Sequence, residues 1–212
     1  MDKNFWLKKW EMNEIGFHQA ETNKFLVKHI DMFRQIDTNG SSCFVPLCGK
    51  SSDLLYLSKY FDEVIGAELA EKAVHDFFKD NNLEHTKDGK NNRFKNLNLI
   101  NDDLFNITKS SFPTTITHLF DRASLIALPP HLRPKYKKSI QNIISAKTRL
   151  MIITIEYDQN RVSGPPFSVP SDEVKNTFPN HNLQLIEDEV TSNLSGKFKG
   201  IEVRQKVYLS SH

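Results

Sequence analysis

The 212-residue chain predicts an α/β fold: a doubly wound, mostly parallel seven-stranded sheet, helices on both faces and an antiparallel C-terminal strand pair. Five apolar runs, at residues 43–47, 64–68, 97–100, 116–120 and 149–157, alternate with segments of helical periodicity. That alternation is the pattern of βα units around a parallel sheet. The fifth run, RLMIITIEY, is strongly apolar, as a strand covered on both faces should be. Beyond Asp158 the period becomes two: residues 183–190 and 201–209 alternate, with Ile201, Val203, Val207 and Leu209 on one face and Glu202, Arg204, Lys206 and Tyr208 on the other. Strict alternation after a βα run predicts an antiparallel pair added at one sheet edge.

Residues 1–16 form an N-terminal arm in which Trp6 and Trp10 lie four apart, so on a helix both indoles project from one face. Gly16-Phe17-His18 follows. A helix then runs to about residue 36 with Phe25, Leu26, Ile30 and Phe33 in one stripe, and Asp37-Thr38-Asn39-Gly40 supplies a turn. After the first strand, Ser51, Ser52 or Asp53 can cap a helix whose apolar face is Leu54, Leu55, Leu57 and Phe61. Ala70, Ala73, Val74, Phe77 and Phe78 give the clearest helical spacing in the chain. Residues 84–96 are polar, contain Asp-Gly and read as a surface loop. Pro129-Pro130 marks a turn before a helix carrying Tyr136, Ile140, Ile143 and Ile144. A long loop with Gly-Pro-Pro leads to a short helix capped by Ser171 or Asp172. One domain spanning 1–212 is expected, with residues 1–36 as arm and helix covering the site.

Composition narrows the function classes. A net charge of +2 with 25% charged residues gives no clustered basic face for nucleic acid. Two cysteines, Cys43 and Cys48, do not make a secreted disulfide scaffold. The opening MDKNFWLKKW lacks a signal-peptide core, and the longest clean apolar run, 150–155, cannot cross a bilayer. The expectation is a cytoplasmic protein acting without membrane or nucleic acid, with a monomer as the default state.

Ligands of such sheets bind outside the carboxyl ends of the strands. Those ends here carry Leu47-Cys48-Gly49, Glu68, Asp102-Asp103, Asp121-Arg122 and Glu156-Tyr157-Asp158, an acidic rim with one arginine. Glu68 lies 19 residues beyond Gly49, close to the spacing at which a carboxylate takes a ribose in nucleotide-binding βαβ units. The strand that breaks at Gly49 and opens a helix also predicts backbone N–H groups facing a charged ligand. Gly49-Lys50-Ser51 resembles the end of a triphosphate-binding loop, but that loop needs glycine where Phe44 stands. The G-x-G-x-x-G of a dinucleotide site is absent, as are H-x-x-x-H, C-x-x-C and G-x-S-x-G, so no metal ligand set or hydrolase triad is predicted. A ribose-binding carboxylate, aromatics and an arginine without phosphate machinery suit S-adenosylmethionine, whose sulfonium cation is attracted to ring faces.

The segments W-x-x-x-W…G-F-H, V-P-L-C-G-K-S-x-D, G-x-E-L, D-R-A-x-L-x-A-L-P-P and G-P-P-F-S-V occur in order from end to end. Together they resemble the thiopurine S-methyltransferase family. The resemblance implies a class I, Rossmann-like methyltransferase that moves a methyl group from S-adenosylmethionine to the sulfur of aromatic and heterocyclic thiols. It implies cofactor contacts at Trp10, Leu47, Glu68 and Arg122, with Trp6, Gly49, Asp103 and Leu104 adding ribose, methionine or adenine contacts. Phe17 would face the acceptor ring, and Arg122 would stabilise the anionic acceptor, with an ion pair to Asp121 or Glu68 as its structural alternative. The chain departs from the family at Ala70, where serine is common, and at Ser124. The sequence leaves open another thiol, a halide, or a selenium or tellurium species as acceptor. It also leaves open a non-catalytic S-adenosylmethionine-binding protein and a plain interaction domain.

Overall fold

The computed structural model describes residues 3–35, 40–191 and 196–211, and its sheet has nine strands among them. In chain order they are β1 (Ser42–Pro46), β2 (Glu63–Glu68), β3 (Thr86–Asp88), β4 (Asn91–Phe94), β5 (Leu97–Asn101), β6 (His118–Asp121), β7 (Arg149–Glu156), β8 (Asn182–Thr191) and β9 (Val203–Ser211). Across the sheet the order is β3-β4-β5-β2-β1-β6-β7-β9-β8. The five strands from β5 to β7 are mutually parallel. The chain starts in the middle at β1, winds outward through β2 to β5, then crosses back to β6 on the other side. The order therefore reverses between β1 and β6, the switch point at which such sheets open a crevice.

The two strands beyond the seven expected come from the segment read as a loop. β3 and β4 form a hairpin across Gly89, whose φ is +56°, and β4 pairs antiparallel with β5. Every residue of β3 is exposed, so it has no apolar alternation to betray it. The signal was the Asp88-Gly89 turn, a strong hairpin pair. At the other edge β9 is inserted between β7 and β8 and is covered on both sides. Lys206, Val207 and Tyr208 are all buried in consequence, while Ile201 precedes the strand. The edge strand β8 shifts register between Leu185 and Glu187, a device that discourages further pairing.

Seven α-helices flank the sheet among the described residues: α1 (Lys3–Glu11), α2 (Lys24–Phe33), α3 (Asp53–Leu57), α4 (Glu71–Asp80), α5 (Ser124–Ala127), α6 (Arg133–Ile143) and α7 (Ser171–Thr177). Period-two side chains of β1 divide between the two layers. Cys43 and Val45 join Phe33, Leu54 and Phe77 under α2, α3 and α4; Phe44 joins Tyr136, Ile140 and Phe178 under α6 and beside α7. α2 begins at Asn23, whose side chain accepts from the Phe25 N–H at 2.9 Å, and ends at Phe33. Most of the turn expected at 37–40 lies outside the described residues. A third, smaller cluster holds Trp10, Ala70 and Ala73 with Leu7 and Ile15, separate from both main layers.

Candidate active site

The loop after β1 takes an unusual path. Leu47 sits at φ +48° and Gly49 at φ +55°, a region easy for glycine and uncommon for leucine. This path turns the Gly49 N–H onto the Glu68 carboxylate at 2.9 Å. The other carboxylate oxygen accepts the Ala70 N–H at 2.8 Å, and the Cys48 N–H goes to the Ala67 carbonyl at 3.0 Å. The N–H groups expected to face a charged ligand are thus, at Cys48 and Gly49, bonded inside the protein. What remains at the rim is a carboxylate with lone pairs to spare, since an ionised carboxylate offers about four acceptor sites. Burial pushes the Glu68 carboxyl above its ordinary range, against the opposing pull of the Ala70, Gly49 and Leu69 N–H groups. The same burial, with Glu68 nearby, holds the Cys48 thiol protonated.

The N-terminal arm lies across this rim. A Cβ on Gly49 would stand 3.2 Å from Cζ2 of Trp10, so the indole closes over the glycine. Phe17 meets the Trp10 and Trp6 rings edge-on, with centroids 5.6 and 5.3 Å away, and is itself 43% exposed. Lys3 reaches Asp103 at 2.5 Å, and the other Asp103 oxygen accepts the Phe105 N–H at 3.1 Å. Leu104 points into the core layer beneath α6, so a ligand contact there would be made by its main chain. His18, flanked by Phe17 and Gln19, has its pKa lowered by partial burial and then by the Lys50 and Arg122 charges, with Asp80 opposing.

Arg122 follows β6 directly, on the far side of the switch point. Its Nε donates to Asp53 at 2.5 Å, Nη1 to the Gln19 side chain at 2.8 Å and Nη2 to Ser51 Oγ at 3.0 Å. The ion pair is with Asp53, and the partners weighed from sequence are otherwise engaged. Asp121 is buried against the Tyr136 hydroxyl and the Ser124 N–H; burial raises its pKa while those bonds oppose. A guanidinium has five N–H donors. Three are used here, and two remain.

The 164–169 loop lies past the end of β7 and is tied down at several points. Phe167 N–H donates to the Ile126 carbonyl at 2.6 Å, Tyr157 Oη to the Pro166 carbonyl at 2.7 Å and Ser168 N–H to Gln159 at 2.8 Å. Lys197 adds bonds to the Ser163 and Pro165 carbonyls. Among the described residues no group of three or more His, Cys, Asp or Glu is arranged to hold a metal ion.

A family model described as thiopurine S-methyltransferase matches residues 1–211. The chain belongs to this family. Its similarity to the Pseudomonas fluorescens (strain Pf0-1) thiopurine S-methyltransferase is 39% identity over 204 residues, covering 93% of this chain and 92% of the relative. The Vibrio atlanticus thiopurine S-methyltransferase is 34% identical, with 97% and 95% covered. Among solved structures, a methyltransferase from Anabaena variabilis dependent on S-adenosylmethionine superposes with a TM-score of 0.67 at 11% identity, covering 99% of this chain and 95% of that one. The Burkholderia thailandensis 1,6-didemethyltoxoflavin-N1-methyltransferase, solved with S-adenosylhomocysteine, gives 0.63 at 9% identity, with 99% and 87% covered. These two establish the Rossmann-like fold. Family membership makes the protein an S-adenosylmethionine-dependent methyltransferase.

The structure brings Trp10, Gly49 and Glu68 together, and Phe17 bridges the two tryptophans. Sequence reasoning missed Gln19, Ser51 and Asp53 as partners of Arg122. Their signal was present: Ser51 and Asp53 sit inside V-P-L-C-G-K-S-x-D, and Gln19 directly follows G-F-H. Of the three residues expected as possible caps of α3, Ser51 accepts the N–H of Asp53, the first helical residue, at 3.2 Å, Ser52 holds the cap position without a side-chain bond, and the Asp53 carboxylate turns to Arg122 and Asn23 instead.

Proposed function

We propose that the protein methylates the sulfur of a small aromatic or heterocyclic thiol, with Arg122 facing the acceptor. S-Adenosylmethionine fits the residues present: Glu68 can accept from both ribose hydroxyls, Trp6 is partly exposed, and the buried Trp10 closes the rim beside Gly49. The inward-turned Cys48 and Gly49 N–H groups suit a ligand without phosphates. Leu47, Gly49, Asp103 and Leu104 complete the proposed cofactor contacts. When bound, the cofactor supplies an electrophilic methyl group on a sulfonium.

The protein's own part is binding and placement. The two free Arg122 N–H donors would hold a thiolate acceptor, and Phe17 would stack on its ring. A heterocyclic thiol ionises near neutral pH without a strong base, so holding sulfur and methyl at attack distance is the main task, worth up to ~7–11 kcal/mol. The observation that carries this reading is Arg122, fixed at three nitrogens beside the Glu68 rim with two donors left over. The proposal takes 1–212 as one domain, with residues 1–36 covering the site, acting as a monomer in the cytoplasm without nucleic acid or membrane. No helix among the described residues is long and apolar enough to cross a bilayer.

The test is a methyl-transfer assay against thiols graded in acidity and ring size, beside halide, selenium and tellurium acceptors. Preferred turnover of aromatic or heterocyclic thiols is expected. Preferred turnover of an inorganic acceptor would replace the acceptor assignment, and S-adenosylhomocysteine binding without any product would reduce the chain to a binding protein.

A further inference from the structure

We propose that Asp53 is the positioning residue of the acceptor site, joining the N-terminal segment and Arg122 so that docking of the one and aiming of the other are a single event. The inference rests on the reading of Arg122 as an acceptor-side residue. Asp53 is 1% exposed and has two partners, one on each oxygen. Oδ2 accepts from Arg122 Nε at 2.5 Å. Oδ1 accepts the backbone N–H of Asn23 at 2.8 Å, the residue whose side chain caps α2. One buried carboxylate therefore grips the guanidinium and the N-cap residue of α2.

Two further contacts make this a joint. Gln19, four residues before Asn23, accepts from Nη1, and Ser51 accepts both from Nη2 and from the Asp53 N–H at 3.2 Å. Each of the three guanidinium nitrogens is thus held, one by Gln19 in the segment between the arm and α2 and two by the loop and helix after β1. Because the guanidinium is planar and rigid, fixing three N–H directions fixes the remaining two. Asp53 is too buried to meet a substrate, and its carboxylate does not cap α3. Its bonds go to the element that covers the site and to the residue that faces the acceptor.

The chain supplies its own reporter. Its two tryptophans, Trp6 and Trp10, both lie in α1, so intrinsic emission reads the arm alone. The experiment is a double-mutant cycle of Asp53→Asn and Arg122→Ala in the full chain, scored by kcat/KM for a heterocyclic thiol, by apo tryptophan emission and iodide quenching, and by thermal melting. Each single variant is expected to lose tenfold or more in kcat/KM, and the double variant to be no worse than Arg122→Ala alone. Asp53→Asn should also shift the emission to the red and raise quenching at a temperature well below its melt.

A lowered melting point with wild-type emission and kcat/KM would make Asp53 merely structural and overturn the proposal. Multiplying losses in the double variant would overturn it too. Wild-type kinetics in Arg122→Ala would instead remove the acceptor role on which it rests. Should Asp53→Asn fail to fold, Gln19→Ala carries the test: reduced kcat/KM with red-shifted emission supports the joint, and wild-type values of both overturn it.

Discussion

At the scale of the residue, Glu68 is under opposing electrostatic demands. Burial raises its pKa, while ribose hydroxyls bind best to the ionised form. The two consequences have opposite signs. With Glu68 as the proposed ribose-binding group, ligand affinity is present above the folded-state pKa and falls as pH drops through it, earlier than for an ordinary glutamate. Stability behaves inversely: a carboxyl with a raised pKa favours the fold at low pH, and that contribution is lost as pH rises through the raised value. Calorimetry with S-adenosylhomocysteine at pH 7 and pH 5 should therefore show wild-type affinity weakening at the lower pH. Glu68→Gln should bind at least about tenfold more weakly at pH 7, since hydrogen bonds to charged groups contribute about 1.5–3 kcal/mol. Its affinity should then be flat across the range. A variant that tracks the wild-type pH curve would assign the titration to another group.

At the scale of the element, the arm is separable from the fold it covers. Trp10 belongs to a small cluster with Ala70 and Ala73, apart from the two layers that sandwich the sheet. Deleting residues 1–16 should leave a cooperative melting transition while abolishing methyl transfer; loss of the transition would make the arm part of the core. What the sequence showed of these elements followed apolar periodicity. β1, β2, β5, β6 and β7 were legible because both faces of each are buried, and the C-terminal pair because it alternates. β3 and β4 were not, because short exposed polar strands leave only a turn as their mark. The site divides in the same way. Glu68 and Gly49 could be paired by their spacing, whereas the bond from Arg122 to Asp53 spans 69 residues, and only the folded topology brings such partners together.

At the scale of the molecule, the site is where separately built parts converge. The arm and the segment that follows it touch the ends of three parallel strands: Lys3 at Asp103 after β5, Trp10 at Gly49 after β1, and, just past the arm, Gln19 at Arg122 after β6. A ligand held by Glu68 and covered by Trp10 would thus stabilise arm and sheet together, and would do so only in the folded state. At 100 times its Kd, S-adenosylhomocysteine should add about 2.7 kcal/mol to stability, which for a chain of this size corresponds to a melting shift of roughly 5–11 °C. Differential scanning fluorimetry reads this directly. Glu68→Ala at the same ligand concentration should lose nearly all of the shift, because the proposed ribose contact is removed while both apolar layers are untouched. The chain lacking residues 1–16 should keep part of it, since Glu68 still receives the Gly49 and Ala70 N–H groups from within the sheet. An undiminished shift in Glu68→Ala would place the ligand elsewhere on the rim.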